Sequence, residues 1–269
     1  MLKKLIKYDL QAMFKYFIPM TAFALLYSCI ATLFFKIENV GNYDNTLTNL
    51  FIGLSIAGFV IIFFAYCIIA QGIIVVDFFK SMVTDRGYLT HTLPVKKSTI
   101  ILSKYIAGTI VLTLTYLFTF LSLAIFLDFP RLWIENADPI KDTFREIFAL
   151  VSPGSIALFA VSFIFTCFVS FVFNIATYHL SIAIGQRMNR HKIVGSIISY
   201  GALTITFSII TNIITFVIQF GAYFTTDKEI LSLSTYSLIL FGGSIFLIVL
   251  TVVMAILTHY IFSTKLNLD

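Results

Sequence analysis

The residues able to do chemistry are few, and their spacing does not form a site. The chain has four histidines, which stand apart from one another: His91, His179, His191 and His259. There is no H-E-x-x-H motif and no pair of carboxylates inside an apolar segment, so neither a metal centre nor an acid–base pair is indicated. We interpret each histidine as an interfacial or helix-end residue.

The cysteines and glycines do not form a known catalytic or nucleotide-binding motif either. Cys29, Cys67 and Cys167 lie in apolar segments without C-x-x-C spacing, which is typical of small packing residues. There is no G-x-x-x-x-G-K-[ST] loop to hold the phosphates of ATP. The sequence therefore predicts a chain that is not an enzyme and has no catalytic residue, metal or cofactor of its own.

The composition predicts an integral membrane protein. Hydrophobic residues make up 59% of the chain, charged residues 12%, and the mean hydropathy is +0.98, whereas a soluble domain carries roughly a quarter charged residues. Six long apolar segments exceed the ~20 residues that cross a hydrocarbon core of about 30 Å. The predicted fold is an all-α membrane protein in one transmembrane domain, 1–269, with helices at 16–35, 50–76, 99–127, 155–184, 193–220 and 237–262.

The distribution of positive charge predicts the orientation. Of the 18 lysines and arginines, thirteen fall in the N-terminal arm, the second and fourth loops and the C-terminal tail, and five fall in the other loops. This bias puts both termini in the cytoplasm, makes 77–98 a cytoplasmic loop and makes 128–154 an extracellular loop. The net charge of +5 is then explained by topology and by contact with an anionic lipid bilayer, with no nucleic acid as partner.

Residues 1–15 predict an interfacial amphipathic helix that precedes the first span. Apolar residues fall on one helical face and polar residues on the other: Leu2, Leu5, Ile6, Leu10 and Met13 against Lys3, Lys4, Lys7 and Gln11. Pro19 marks the bend or the first turn where the chain enters the bilayer. The simpler alternative is a set of lysines that flank the first span.

Polar residues recur about every four positions along the fourth and fifth spans. The two stripes are Ser162, Thr166, Ser170, Asn174 and Tyr178, and Tyr200, Thr204, Ser208, Asn212 and Thr215. Polar stripes in membranes face other helices or a cavity. They either hold helices together or line a substrate path, for which the candidates are Gln71, Ser170, Asn174, Tyr178, Thr204, Ser208 and Asn212.

The loop 128–154 is longer than a turn requires. Its stretch "DPIKDTFREIFALV" has Asp138 where an N-cap is expected and Pro139 in the first helical position. A short external helix is therefore predicted, which either caps a pathway or only covers the surface.

The polar loop 77–98 between two apolar helices suits a docking element for a soluble partner, although an ordinary basic loop has the same charges. Its stretch "FFKSMVTDRGYLTHTLPVKKSTIILSKYIAG" resembles the D-x-G-Y-L-x-x-T-L-P-V stretch after the second helix in membrane subunits of ABC-2-type ATP-binding-cassette exporters. The stretches "ATYHLSIAIGQRMNRHKIVGS" and "THYIFSTKLNLD" also look like that family. Six spans with both termini inside agree with it along the whole chain.

The resemblance implies the partners and the role of the loops. Two such membrane subunits, alike or homologous, bind two copies of a cytoplasmic ABC ATPase, which binds the ATP and Mg²⁺. The loop after the second helix couples the ATPase to the membrane helices. This role is carried over to Asp85, Arg86, Gly87 and Tyr88, and secondarily to Gln186, Arg187 and Arg190 in the fourth loop.

The predicted function is the transmembrane subunit of an exporter for an amphipathic or hydrophobic substrate, a peptide first, then a lipid or a drug. Abundant Ile, Lys, Asn and Phe indicate the cell membrane of a Gram-positive bacterium. The alternative is a membrane sensor or immunity protein that binds a peptide without an ATPase. A membrane-embedded enzyme is disfavoured, because the chain lacks catalytic motifs.

Overall fold

The computed structural model describes residues 1–40, 46–84, 86–87, 90, 92, 94–128, 137–188, 191–225 and 233–264. Within these residues all regular structure is helical, which confirms the predicted all-α class. In chain order the principal helices are α1 (Leu2–Val40), α2 (Thr46–Met82), α3 (Lys97–Phe126), α4 (Ala137–Leu150), α5 (Pro153–Gly185), α6 (Lys192–Thr225) and α7 (Leu233–Thr264).

Six of these helices are long and apolar enough to cross a membrane, as predicted. Their apolar stretches are Leu2–Leu33, Leu50–Met82, Lys97–Phe126, Pro153–Gly185, Lys192–Ile218 and Leu233–Thr264. Apart from the end of α3, these six helices extend beyond the predicted spans at both ends, as a helix can when it continues past the hydrocarbon core. The remaining principal helix, α4, has 14 residues, which are too few to cross a membrane.

Helix boundaries differ from the predicted ones near charged residues. The helix α1 is continuous through Pro19, so residues 1–15 and 16–35 belong to one element, and Met13 at the end of the predicted lipid-facing stripe is buried. The helix α3 begins at Lys97 and takes in Lys104, which is only 5% exposed. The predicted span 99–127 already included Lys104, but its burial was not predicted.

Local sequence explains the start of α5 and the presence of α4. Ser152 is the N-cap of α5, where its hydroxyl oxygen accepts a bond from the Ser155 amide, and a proline follows it at the start of the helix. The helix predicted in the loop 128–154 is present as α4, with Asp138 in its first turn instead of at its cap. Helix ends commonly differ by one or two residues in this way.

The chain divides into two compact units, of which the N-terminal unit is Lys3–Asp77 with Ile110–Arg145. In it α1 and α2 run antiparallel, since Thr21 meets Tyr66 at 3.1 Å and the later Tyr27 donates to the carbonyl of the earlier Ser55. The helices α2 and α3 are also antiparallel, and their contacts include the stacked rings of Phe59 and Phe126, 3.9 Å apart.

The C-terminal unit comprises Met1–Leu2, Phe78–Thr109 and Glu146–Asp269. In it α5 packs antiparallel to α6, because Phe173 meets Phe207 and, further along α5, Tyr178 meets Tyr200, both pairs of ring centroids being 5.4 Å apart. The helix α7 runs parallel to α5, because Thr166 meets Ser244 at 2.8 Å and, further along both helices, Thr177 meets Met254 at 3.8 Å. Within each unit, successive long helices therefore alternate in direction, as successive membrane spans must.

A glycine pair tests the close approach of α5 and α6. A Cβ at Gly185 would overlap the backbone of Ser196, whereas a Cβ at Gly201 would meet nothing within 4 Å. We expect Gly185→Ala to lower the stability of the detergent-solubilised chain by about 1–3 kcal/mol through overpacking. Gly201→Ala should leave it unchanged or raise it by up to about 1 kcal/mol through helix propensity. Thermal unfolding of both variants measures this, and equal melting temperatures would refute the close crossing.

Candidate functional site at the basic end of the helices

Two loops of the C-terminal unit, 83–96 and 186–191, lie at what we call the basic end of its helices. The described cations of these loops and of the helix ends that carry them are Lys80, Arg86, Lys96, Lys97, Lys104, Arg187 and Lys192. The ends of α2 and α5 are neighbours, because Phe78 near the end of α2 stacks on His179 near the end of α5. The two loops therefore leave the same end of the unit.

Four aromatic rings join the helices at this end, and we call them the His179 junction. The imidazole of His179 lies parallel to the ring of Phe78, with centroids 3.7 Å apart and planes 13° apart. The ring of Tyr105 meets the imidazole edge-on at 4.6 Å, and Phe262 meets Phe78 edge-on at 5.8 Å. These rings come from α5, α2, α3 and α7, so the contacts link the four helices in a chain, with α2 and α5 in the middle.

Two lysines of α3 lie beside the junction. The ammonium group of Lys97 donates a 3.1 Å bond to the backbone carbonyl of Phe262 near the end of α7, where a cation interacts favourably with the helix. Lys104 is buried and acts electrostatically on His179. Lys97 is thus half-buried and bonded to α7, and Lys104 is held inside the unit.

Polar atoms inside this region lack hydrogen-bond partners. His179 and Gln186 are both fully buried, and neither the two ring nitrogens nor the two amide atoms have a partner among the described residues. The two residues are seven positions apart on α5, so they lie on one helical face. Such groups are rare in folded proteins and call for an explanation.

In the loop 83–96, the predicted coupling residues Arg86 and Gly87 lie within the described chain, whereas Asp85 and Tyr88 lie outside it. Arg86 is exposed. A Cβ at Gly87 would lie 2.8 Å from the carbonyl carbon of Met82. Glycine is thus required because the loop folds back against the end of α2, and not because of a positive φ, which no described glycine has.

The second loop presents one of its three predicted coupling residues. Arg187 is exposed, Gln186 is the buried C-cap of α5, and Arg190 lies outside the described residues. The loop starts with a turn, in which the Met188 amide donates to the carbonyl of Gly185 at 3.1 Å. Arg187 is therefore an exposed charge on a hydrogen-bonded turn.

The two asparagines of the predicted substrate path bind their own helices. Asn174 is exposed and donates its amide to the carbonyl of Ser170 at 2.9 Å, and Asn212 is exposed and donates to the carbonyl of Ser208 at 2.8 Å. From the register of α5 and α6, these two asparagines lie about 10 Å apart along the helices, at 1.5 Å per residue. The two asparagines are therefore at different levels, whereas Ser170 and Ser208 lie within about one residue of the same level.

The α5 stripe faces several directions, which the sequence analysis missed. A four-residue step advances about 40° around a helix of 3.6 residues per turn, so the stripe turns by about 120° between Thr166 and Tyr178. Accordingly Thr166 bonds to α7, Asn174 is exposed, and Tyr178 is buried against Tyr200 of α6. Of the other path candidates, Thr204 is exposed, and Gln71 is half-buried in the N-terminal unit.

The sequence analysis also missed the residues of the His179 junction. It treated all four histidines alike and counted Phe78 and Phe262 with the apolar background. The available signal was that His179 and His259, unlike the other two histidines, lie inside predicted membrane-spanning segments, where histidines usually face the bundle interior.

The two kinds of polar residue on α5 give a test of helix packing. We expect Thr166→Val to lower the stability of the solubilised chain by about 0.6 kcal/mol, and by up to about 2, because it removes an interhelical hydrogen bond. Asn174→Leu should leave stability unchanged, since its amide binds only its own helix among the described residues. Melting temperatures of both variants give the comparison, and a larger loss for Asn174→Leu would show that this asparagine holds helices together.

Comparison with known proteins leaves the family of the chain open. No family model, no curated protein and no solved structure matches it. The function is therefore argued from the geometry of the basic end and from the sequence of its loops.

Proposed function

We propose that the chain is the membrane subunit of an ATP-driven exporter of the ABC-2 type. The observation that carries the proposal is the arrangement of the basic end. The loop with the family-like sequence is mounted on α2 and α3, whose ends are locked to α5 and α7 by the rings of the His179 junction. A soluble protein that pushes on this loop would move four helix ends together.

The orientation follows from charge. The described basic end carries seven lysines and arginines, and positively charged loops face the cytoplasm. With six spans the two termini share that side, and residues 1–15 lie along the inner leaflet as the amphipathic start of α1. The cell membrane of a Gram-positive bacterium is the proposed location.

The partners follow from what the chain lacks and what it exposes. It has no nucleotide-binding motif, so a separate cytoplasmic ABC ATPase, present in two copies, binds ATP and Mg²⁺ and hydrolyses the nucleotide. A second membrane subunit, like or homologous to this one, completes the complex. Arg86 and Arg187 are exposed cations suited to acidic groups on the ATPase.

The proposed substrate is an amphipathic or hydrophobic molecule, with a peptide preferred to a lipid or a drug. The support is the exposed polar face of α6, where Thr204, Ser208 and Asn212 lie along one side of a helix long and apolar enough to cross the membrane. Exposed amides and hydroxyls at membrane depth face another protein surface or a polar path in preference to lipid. An amphipathic substrate offers both polar groups for this face and apolar groups for its surroundings.

Site-specific crosslinking tests the docking role. The native cysteines Cys29, Cys67 and Cys167 are first replaced, and Arg86→Cys is then introduced for a short photoactivatable crosslinker in native membranes. We expect a covalent adduct with an ABC ATPase, identified by mass spectrometry, since Arg86 lies in the proposed docking loop.

The matched control is Lys141→Cys, at another exposed cation, on α4. It should give no ATPase adduct, because α4 belongs to the loop on the opposite side of the membrane. Adducts from Lys141→Cys and none from Arg86→Cys would reverse the orientation and refute the docking role. Correctly inserted protein that gives no ATPase adduct at either position would refute the partnership.

A further inference from the structure

One exposed face of α1 changes from apolar to cationic along its length. At 100° per residue, positions 11, 15, 18, 22, 26, 29 and 33 fall within an arc of about 80°. The residues at these positions are all exposed: Gln11, Lys15, Ile18, Ala22, Leu26, Cys29 and Leu33. Lys4 and Lys7, which are also exposed, continue this face towards the N-terminus, with Lys3 at its edge. We call its cationic part, Lys3, Lys4, Lys7, Gln11 and Lys15, the lysine face.

The opposite side of α1 is covered by the chain itself. Phe17 contacts Tyr66 of α2 and Phe118 of α3, with ring centroids 6.3 Å apart in both pairs. Met13 is buried. The other members of the predicted apolar stripe are half-buried: Leu2, Leu5, Ile6 and Leu10. The lysine face is therefore the side of these first turns that is open to a partner.

The charge of the lysine face selects an anionic partner. Its four lysines are exposed, and none forms an ion pair with a residue that the structure describes. The one acidic residue among the first 37, Asp9, is half-buried and lies about 140° away around the helix. The ammonium group of Lys15 lies 6.0 Å from the ring centroid of Tyr16, and tyrosine rings are common where helices leave a membrane.

The position of the lysine face along α1 favours a lipid over a soluble anion. The helix is continuous through Pro19, and its stretch Leu2–Leu33 is long and apolar enough to cross a membrane. Lys15 precedes Ile18 by about 4.5 Å at 1.5 Å per residue, and the polar layer of a bilayer is about 5–7 Å thick on each side. Acyl chains that pack on Ile18 and Leu26 therefore carry their headgroups at the level of Lys15.

We infer that the lysine face binds the headgroup of an anionic phospholipid whose acyl chains lie against the apolar part of the same face, Ile18 to Leu33. Lys7 and Lys15 attract the phosphate from two sides, and the amide of Gln11 between them adds hydrogen-bond donors. The inference requires that α1 crosses a membrane. It does not depend on an ATPase, on transport or on which side the N-terminus lies.

Lipid binding to the purified full-length chain tests the inference. Native mass spectrometry would give the affinities for phosphatidylglycerol and for phosphatidylcholine with identical acyl chains, and we expect phosphatidylglycerol to bind more tightly. A lysine near an anionic surface contributes about fivefold in affinity. Lys7→Gln combined with Lys15→Gln should therefore weaken phosphatidylglycerol binding by up to about thirtyfold and leave phosphatidylcholine binding unchanged. Arginine at both positions should retain the preference, because the charge is kept.

The matched control is Lys141→Gln combined with Arg145→Gln, which removes the same charge from exposed positions of α4 that are paired with Asp138 and Asp142. It should preserve the preference for phosphatidylglycerol. A wild-type chain without this preference would overturn the inference, as would a preference that survives in the Lys7 and Lys15 variant. An equal loss in the control would show a response to net charge alone and would overturn the assignment to α1.

Photocrosslinking in native membranes identifies the occupant of the lysine face. A photoactivatable amino acid would replace Gln11, which is exposed and lies between Lys7 and Lys15 on the helix. We expect the peptide that contains position 11 to gain the mass of a phospholipid. Crosslinking of this position to a soluble protein or to a second copy of the chain, without a lipid adduct, would overturn the inference.

Discussion

Hydrocarbon offers no hydrogen-bond partners, and this constraint governs the described parts of the molecule. Hydroxyl groups return to their own backbone four residues earlier, as Thr115 does to Val111 at 2.8 Å and Thr258 does to Met254 at 2.8 Å. Where two helices meet, hydroxyls also bond across the contact, as Thr32 does to the carbonyl of Ile125 at 2.7 Å. Polar residues can therefore occur along every span without a polar pore, and a polar stripe alone does not identify a substrate path.

The basic end of the C-terminal unit is held together by other kinds of contact. Its contacts are aromatic stacking, a lysine bonded to a helix-end carbonyl, and buried polar groups with no partner among the described residues. Stacked rings resist separation of the helix ends, while the loops outside them expose Arg86 and Arg187. This combination of a rigid base and exposed charge is what a docking surface requires, and it links the fold to the proposed coupling with an ATPase.

Features that depend on local sequence were predictable, and features that depend on packing were not. Six spans follow from length and apolarity, and a helix in the loop 128–154 follows from Asp138 and Pro139, because both are properties of neighbouring residues. The stack of Phe78 on His179 joins residues 101 positions apart, and no local pattern marks it. Lys104 lies within the predicted span 99–127, but its burial depends on the packing of the folded unit. The need for glycine at position 87 depends on the backbone of Met82, which only the folded loop brings close.

The central claim is that this chain works with a separate ATPase, and the composition of the native complex tests it most directly. The chain would be purified from native membranes through an affinity tag in a mild detergent, and the complex would be weighed by native mass spectrometry. The account predicts a particle that contains an ABC ATPase and membrane subunits in equal numbers, two of each kind of chain. Particles made only of this chain, or of this chain with a non-ATPase partner, would contradict it.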